Sequence, residues 1–215
     1  METLLDLYAQ PYDACYPVVC FDERPCFLIG DVVEGLAPQS GRVAKQHYSY
    51  SKHGSCVVLG AVEALVGKRL LSVFSQRTKK EYTQFMQALA ALYPDAIKIR
   101  LVQDNLNTHS INAFYEQLPA AEAAALAARF DFYYTPKCAS WLNIIELEFS
   151  ALSRQCLNRR IPTQDRLRTQ VLAWTETRNQ EGTKIHWQFT SRQARQTLNS
   201  QYCKVNPVNF KYKPN

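Results

Sequence analysis

The chain contains no unbroken apolar run long enough to span a bilayer and no charged-then-apolar leader after Met1. A membrane partner is therefore not expected, and a cytoplasmic location is. The chain also has no CxxC pair: Cys15, Cys20, Cys26, Cys56, Cys138, Cys156 and Cys203 are an odd set without the spacing of a zinc site or a disulfide framework. That usage suits reduced thiols in a cytosol. His53 and Cys56 have ligand-like spacing, but no second pair answers them, so they read as packing residues. Repeats and low-complexity tracts are missing too, which excludes a solenoid or a disordered linker protein. Finally, acids are scarce at one end. Residues 151–215 hold 3 Asp/Glu against 12 Lys/Arg, whereas residues 1–150 hold 16 against 13.

What is present is enough for one large domain or one and a half: 215 residues, 47% hydrophobic and 12% aromatic. The basic end also carries Trp174, Trp187, Phe189, Tyr202, Phe210 and Tyr212. Cationic side chains neutralise phosphates and aromatic faces can stack on bases, so an acidic body joined to a basic tail points to a polyanion partner.

Along the chain, residues 3–9 read as a short helix stopped by Pro11. Residues 17–25 read as a strand ended by Pro25, with 26–31 as its hairpin partner. Residues 35–54 have little period and read as a loop, basic at its far end. A second strand pair covers 55–65 and 68–75, turned at Gly67. Thr78 with Glu81 has capping-box spacing and opens a helix carrying Phe85, Leu89 and Leu92. Residues 97–102 form the next strand, which delivers Asp104. Helical stretches at 110–117 and 120–129 follow, then a strand over 130–135 stopped by Pro136. From Trp141 onward the pattern is mostly helical, divided at Pro162. Paired strands, helix, strand, helix, strand and terminal helix are the order of a ribonuclease-H-like α/β fold: a mixed sheet with flanking helices. Residues 1–157 would form that domain and 158–215 a basic helical extension.

Three acids stand where this order would gather them. Asp22 closes "VVCFD", Asp104 closes "IRLVQD", and Glu146 lies in "WLNIIELEFSALSRQCL". Acids at the ends of apolar runs need water, a cation or a donor, and hard divalent ions take carboxylate oxygens together with substrate phosphate. Asp-Asn after a strand is also ordinary turn chemistry. Helix geometry favours Glu146 over Glu148. At about 100° per residue, Ile145, Phe149, Leu152 and Cys156 form the buried stripe. Asn143, Glu146, Ser150 and Ser153 line one polar flank, while Glu148 falls on the more crowded side.

"VVCFDE" (18–23), "VQDNLNTH" (102–109) and "TPKCASWLNIIELEFS" (135–150) resemble, in order, the three catalytic blocks of bacterial insertion-sequence transposases of the mariner superfamily, which are DDE endonucleases. The third block is the most specific and the first the least, and the likeness runs from about Leu4 to Tyr202. The resemblance implies a DNA transposase catalytic domain with a metal-binding triad at Asp22, Asp104 and Glu146. It further implies Mg²⁺ as cofactor, with Mn²⁺ able to substitute, cleavage of DNA at element ends, and strand transfer into a target. Asn105, Asn107, His109, Trp141 and Asn143 match motif neighbours that would support the triad or pack around it. A His often found before the Ala-Ser-Trp of the third block is Cys138 here. Lys45, Lys52, Lys137, Arg154, Arg159 and Arg160 are the expected DNA contacts, and a homodimer or higher assembly is expected in the complex with two ends. Members usually carry a helix-turn-helix region ahead of the catalytic domain. Only 21 residues precede Asp22, so the expectation is the catalytic half of a split frame, a truncated copy or an excised domain. The rivals are another ribonuclease-H-like nuclease and an inactive remnant that only binds DNA.

Overall fold

Alternation of side chains explains the central sheet. In a computed structural model of the chain, residues 1–206 and 208 are described; Phe210 and Tyr212 of the basic end lie outside them. Strands β1 (Val18–Asp31), β2 (Tyr50–Glu63), β3 (Lys68–Phe74), β4 (Ile99–Gln103) and β5 (Phe130–Tyr134) form one sheet in the order β3-β2-β1-β4-β5. β1 pairs antiparallel with β2 and parallel with β4; β2–β3 is antiparallel and β4–β5 parallel. Successive residues point to opposite faces, and both faces are covered. Val19, Phe21, Leu59, Ala61, Ile99 and Leu101 pack under helices α2 (Lys79–Ala91), α3 (Ile111–Gln117) and α4 (Ala120–Ala128). Cys20, Val58, Val62, Leu71 and Val102 pack on the other face. They meet α1 (Glu2–Tyr8), α5 (Ile145–Gln155) and α6 (Gln164–Gln180) there. This is the ribonuclease-H-like α/β arrangement expected. Helices α7 (Ser191–Thr197) and α8 (Asn199–Val205) complete the described chain.

Several local expectations are met. Thr78 caps α2 in a reciprocal capping box with Glu81, satisfying two otherwise orphaned N–H groups. Gly67, in the β2–β3 turn, has φ +80°, and a Cβ there would also meet the backbone of Gly182 and Thr183. The stripe Ile145, Phe149, Leu152, Cys156 is buried.

Two expectations are corrected. Residues 17–25 and 26–31 are not a hairpin but one continuous strand, with Pro25 opposite Val57 of β2. β4 accompanies β1 only over Val18–Cys20, so at Pro25 one edge of β1 is open and a missing N–H is tolerated. The partner that 26–31 needs is the first part of β2, which starts at Tyr50 inside the expected loop. The aromatic residues of the basic end are also differently used. Trp174, Trp187 and Phe189 pack against the core, and the Tyr202 hydroxyl donates to Glu2 at 2.6 Å. The burial of apolar ring surface stabilises the fold, so these partly buried rings contribute to packing.

The basic end is bound closely to the sheet. Asn179 of α6 brackets Arg69 of β3, its side chain accepting from the backbone N–H at 2.9 Å and donating to the carbonyl at 3.0 Å. Leu167, Val171 and Ala194 join the core that contains β1 and β2.

Candidate active site

Asp22 reaches its position because β1 continues past the end of β4. The residue lies opposite Gly60 of β2, on the part of β1 no longer flanked by β4. Asp104 follows directly on β4, where the parallel strands end and their backbone groups open. Glu146 is in the first turn of α5 and exposed, while Ile145 and Phe149 anchor the same helix on the sheet. Gly60 sets how closely that helix approaches. A Cβ built there would fall 2.7 Å from Cε1 and 2.9 Å from Cζ of Phe149. At this position no side chain fits beneath the Phe149 ring, so the helix carrying Glu146 can approach β2 closely opposite Asp22.

The three acids influence one another. Burial above all, with the charges of Asp104 and Glu146 adding to it, pushes the Asp22 carboxyl up to about 6 against the opposing Glu23 N–H and nearby His109. The Glu23 amide donates to Asp22 Oδ1 at 2.8 Å. Asn143 is buried and donates from Nδ2 to the Phe21 carbonyl at 2.8 Å and to Asp22 Oδ2 at 3.3 Å, while its own Oδ1 has no partner. Asn143 thus fixes Asp22 to the turn that opens α5.

His109 performs the corresponding service for Asp104. Its ring is stacked on Tyr82 and edge-on to Phe21, fully buried. Nδ1 lies 2.5 Å from Asp104 Oδ1 and Nε2 lies 2.9 Å from Glu23 Oε1. Burial works against charging, but hydrogen bonds to Asp104 and Glu23 and their charges prevail and raise the imidazole to about 9. Both ring N–H groups therefore donate at neutral pH. Arg77 completes the line with a 3.0 Å bond to Glu23 Oε2. Gln103, wholly buried, accepts from the Tyr82 hydroxyl at 2.9 Å and donates to the His109 carbonyl at 2.9 Å.

Glu148, two residues beyond Glu146, has a different fate. It is buried and accepts from Arg69 Nε at 2.5 Å and from Arg178 Nε at 2.7 Å. Arg69 additionally donates to the carbonyls of Gly67 at 2.6 Å and Thr183. This acid links α5, β3 and α6 and faces away from Asp22.

Of the other expected residues, Asn105 and Lys137 line a cleft of about 470 Å³ together with Asp104 and Cys138. Cys138 sits at φ +61°, a left-handed conformation uncommon for a residue with a Cβ. Asn107 is exposed in the loop after Asp104. Trp141 is half exposed and packs edge-on to Phe189. Lys45, Lys52, Arg154 and Arg159 are exposed. Arg160 is committed elsewhere: it donates to Asp31 at 2.6 Å and to the carbonyls of Ser49, His47 and Tyr48. Four cations of the basic end, Arg160, Arg168, Arg178 and Arg195, form ion pairs within the chain. Glu23, Gln103, Arg77 and Gly60 escaped the sequence reading. Glu23 and Gln103 adjoin Asp22 and Asp104 in the quoted blocks, and a buried polar residue in an apolar strand was the available signal.

The donor set suits a hard cation. All three acids offer oxygen, Asp22 carries a burial penalty that a positive charge would relieve, and the exposed Glu146 and the open side of Asp104 leave room for water or phosphate oxygens. Among the described residues no three His, Cys, Asp or Glu side chains already close into an ion cage.

Comparison with known proteins places the chain. Residues 17–168 match the DDE superfamily endonuclease family, and the chain belongs to it. No curated protein matches the sequence. Among solved structures, the chain is similar to the Mos1 mariner paired end complex with Mn, with a TM-score of 0.56, 15% identity, and coverage of 99% of this chain and 61% of that one. A second Mos1 transposase paired-end complex, with left transposon end, matches at a TM-score of 0.43 and 13% identity over 86% of this chain and 61% of that chain. The chain therefore spans about three fifths of the length of these structures, and the likeness is one of fold. No helix of the described residues is long and apolar enough to cross a membrane.

Proposed function

We propose that this chain is the catalytic domain of a DNA transposase, cutting DNA phosphodiesters at element ends and joining them to target DNA. What supports the reading is that Asp22 stands where β1 runs past β4, Asp104 follows directly on β4 and Glu146 lies on the helix packed against β1 and β2, near enough for the charges of Asp104 and Glu146 to raise the Asp22 carboxyl. Asp22, Asp104 and Glu146 would hold Mg²⁺, or Mn²⁺ in its place. Such ions activate an attacking oxygen and neutralise charge on the leaving one in phosphoryl transfer. The chain's own residues position these groups. Asn143 and the Glu23 amide hold Asp22, and protonated His109 holds Asp104 while its other N–H is anchored on Glu23. Lys137 lines the cleft beside Asp104 and can meet a phosphate there. Arg154, Lys45 and Lys52 are exposed and can meet the DNA backbone further out, as can the exposed Arg159, whose Nε donates to the Cys156 carbonyl, whereas Arg160 steadies the loop at 47–49. Two such chains would act together on two ends, inside the cell where the DNA is.

The test is Asp104→Asn, which keeps the side chain's shape and removes its charge. Divalent-dependent nicking of plasmid DNA should be abolished while salt-dependent DNA binding is retained. Nicking at the wild-type rate in Mg²⁺ or Mn²⁺ would overturn the reading.

A further inference from the structure

Away from the three acids, a cavity of about 100 Å³ opens between α1, the segment 11–16, the start of β1, the β2–β3 turn and residues 185–187. Its walls mix aliphatic side chains with four aromatic ones, Tyr8, Tyr12, Tyr16 and Trp187, and the Tyr8 and Trp187 ring centroids are 5.4 Å apart. The Tyr8 hydroxyl is spent on the Leu142 carbonyl at 2.9 Å, leaving the ring as a wall. Two acids line this cavity: Asp13, which is exposed and accepts from the Cys15 N–H at 2.9 Å, and Glu63. Glu63, the last residue of β2, is 2% exposed, and its Oε1 is buried with no hydrogen-bond partner among the described residues.

An unpaired carboxylate oxygen in such a place is costly. Among the described residues no cation comes within ion-pair distance of Glu63. Lys68, the nearest candidate in sequence, donates to the Leu92 carbonyl at 2.7 Å and lies over the Tyr93 ring. Burial raises the Glu63 carboxyl, with the Tyr93 hydroxyl and Lys68 opposing, so the charged form is under-compensated. A partner that donates a hydrogen bond to Oε1 and carries positive charge would satisfy this oxygen and favour its charged form. Aromatic walls favour a cation, and an apolar cavity of about 150 Å³ admits benzene, so this smaller one suits an aliphatic chain a few carbons long.

We propose that the cavity binds a primary alkylammonium group, whose N–H donates to Glu63 Oε1 while its chain lies among the tyrosines and Trp187. A quaternary ammonium has no N–H to give and is excluded by the same geometry. The group could belong to a free aliphatic amine or to a lysine side chain of a partner. Its neighbourhood is not remote from the acids: Ile144 lines the cavity, next to Asn143, which holds Asp22.

The experiment is a titration of the full chain with butylammonium chloride, followed by amide chemical shifts at matched ionic strength. Nα-acetyl-lysine methylamide and tetramethylammonium are titrated in parallel. Butylammonium should shift Glu63–Leu65 and Ile185–Trp187 saturably. Glu63→Gln should weaken binding by roughly tenfold or more, the worth of a hydrogen bond between charged groups. Ala64→Leu, which fills the cavity and leaves Glu63 in place, should block binding as well. Saturation by the lysine derivative assigns the site to a protein partner, and saturation by butylammonium alone assigns it to a small amine. The proposal is overturned if neither amine saturates, if tetramethylammonium binds as tightly, or if Glu63→Gln binds unchanged.

Discussion

Glu146 and Glu148 stand two residues apart on one helix, and replacing each by glutamine should have opposite consequences. Glu148→Gln leaves two guanidinium groups facing a neutral amide. The side chains of Glu148, Arg69 and Arg178 are 1%, 0% and 13% exposed, so water cannot screen the change. Removing one partner of a buried pair costs about 3–5 kcal/mol. Arg69 keeps its carbonyl acceptors at Gly67 and Thr183, which places the expected loss toward the lower end, about 3 kcal/mol. With a urea m-value of about 2 kcal/mol per molar for a chain of this size, the unfolding midpoint should fall by roughly 1.5 M. Glu146→Gln, on the exposed flank, should change stability by no more than about 0.5 kcal/mol and still abolish divalent-dependent nicking. Equilibrium urea unfolding followed by far-UV circular dichroism reads the first effect, and plasmid nicking reads the second. A Glu148→Gln midpoint within error of wild type would refute the account of the buried cluster. Nicking retained in Glu146→Gln would remove this acid from the site.

Two further outcomes follow from the geometry. Gly60→Ala should destabilise by about 1–3 kcal/mol, the usual range for overpacking, because its Cβ collides with the Phe149 ring. It should also slow nicking as α5 lifts from β2; full activity would mean that the ring yields without moving the helix. The Glu2 carboxyl is held down at about 2 by hydrogen bonds to Arg195 and Tyr202. Its folded value lies below the unfolded one, so its contribution is complete above about pH 4.5 and is lost as pH falls toward 2. The melting-temperature difference between wild type and Glu2→Gln should therefore be present at pH 7 and vanish in strong acid. A difference that does not change with pH would show that the ion pair contributes nothing.

Much of the architecture was legible because it is local. The capping box at Thr78, the turn at Gly67 and the stripe through Ile145 and Phe149 each follow from residues within a few positions of one another. Pro25 misled for the same reason. Proline normally ends a strand, and only the short reach of β4 along β1 explains why it does not do so here. The roles of Glu23, Gln103 and Arg69 were not legible. His109 meets Glu23 across 86 residues and Glu148 meets Arg69 across 79, and nothing in local spacing encodes such partners. The exposed and buried flanks of α5 were separable by periodicity, although what occupies the buried flank was not. Counting charge over the basic end also overstated what is free for a polyanion, since four of its arginines are engaged within the chain.

The clasp of Arg178 on Glu148 has a bearing on the order in which this polypeptide matures. A nascent chain halted after Cys156 would contain α5 whole, yet Glu148 would lack one of the two guanidinium groups that seat that helix. The footing of α5 is thereby finished only when α6, which carries Arg178, has emerged from the ribosome.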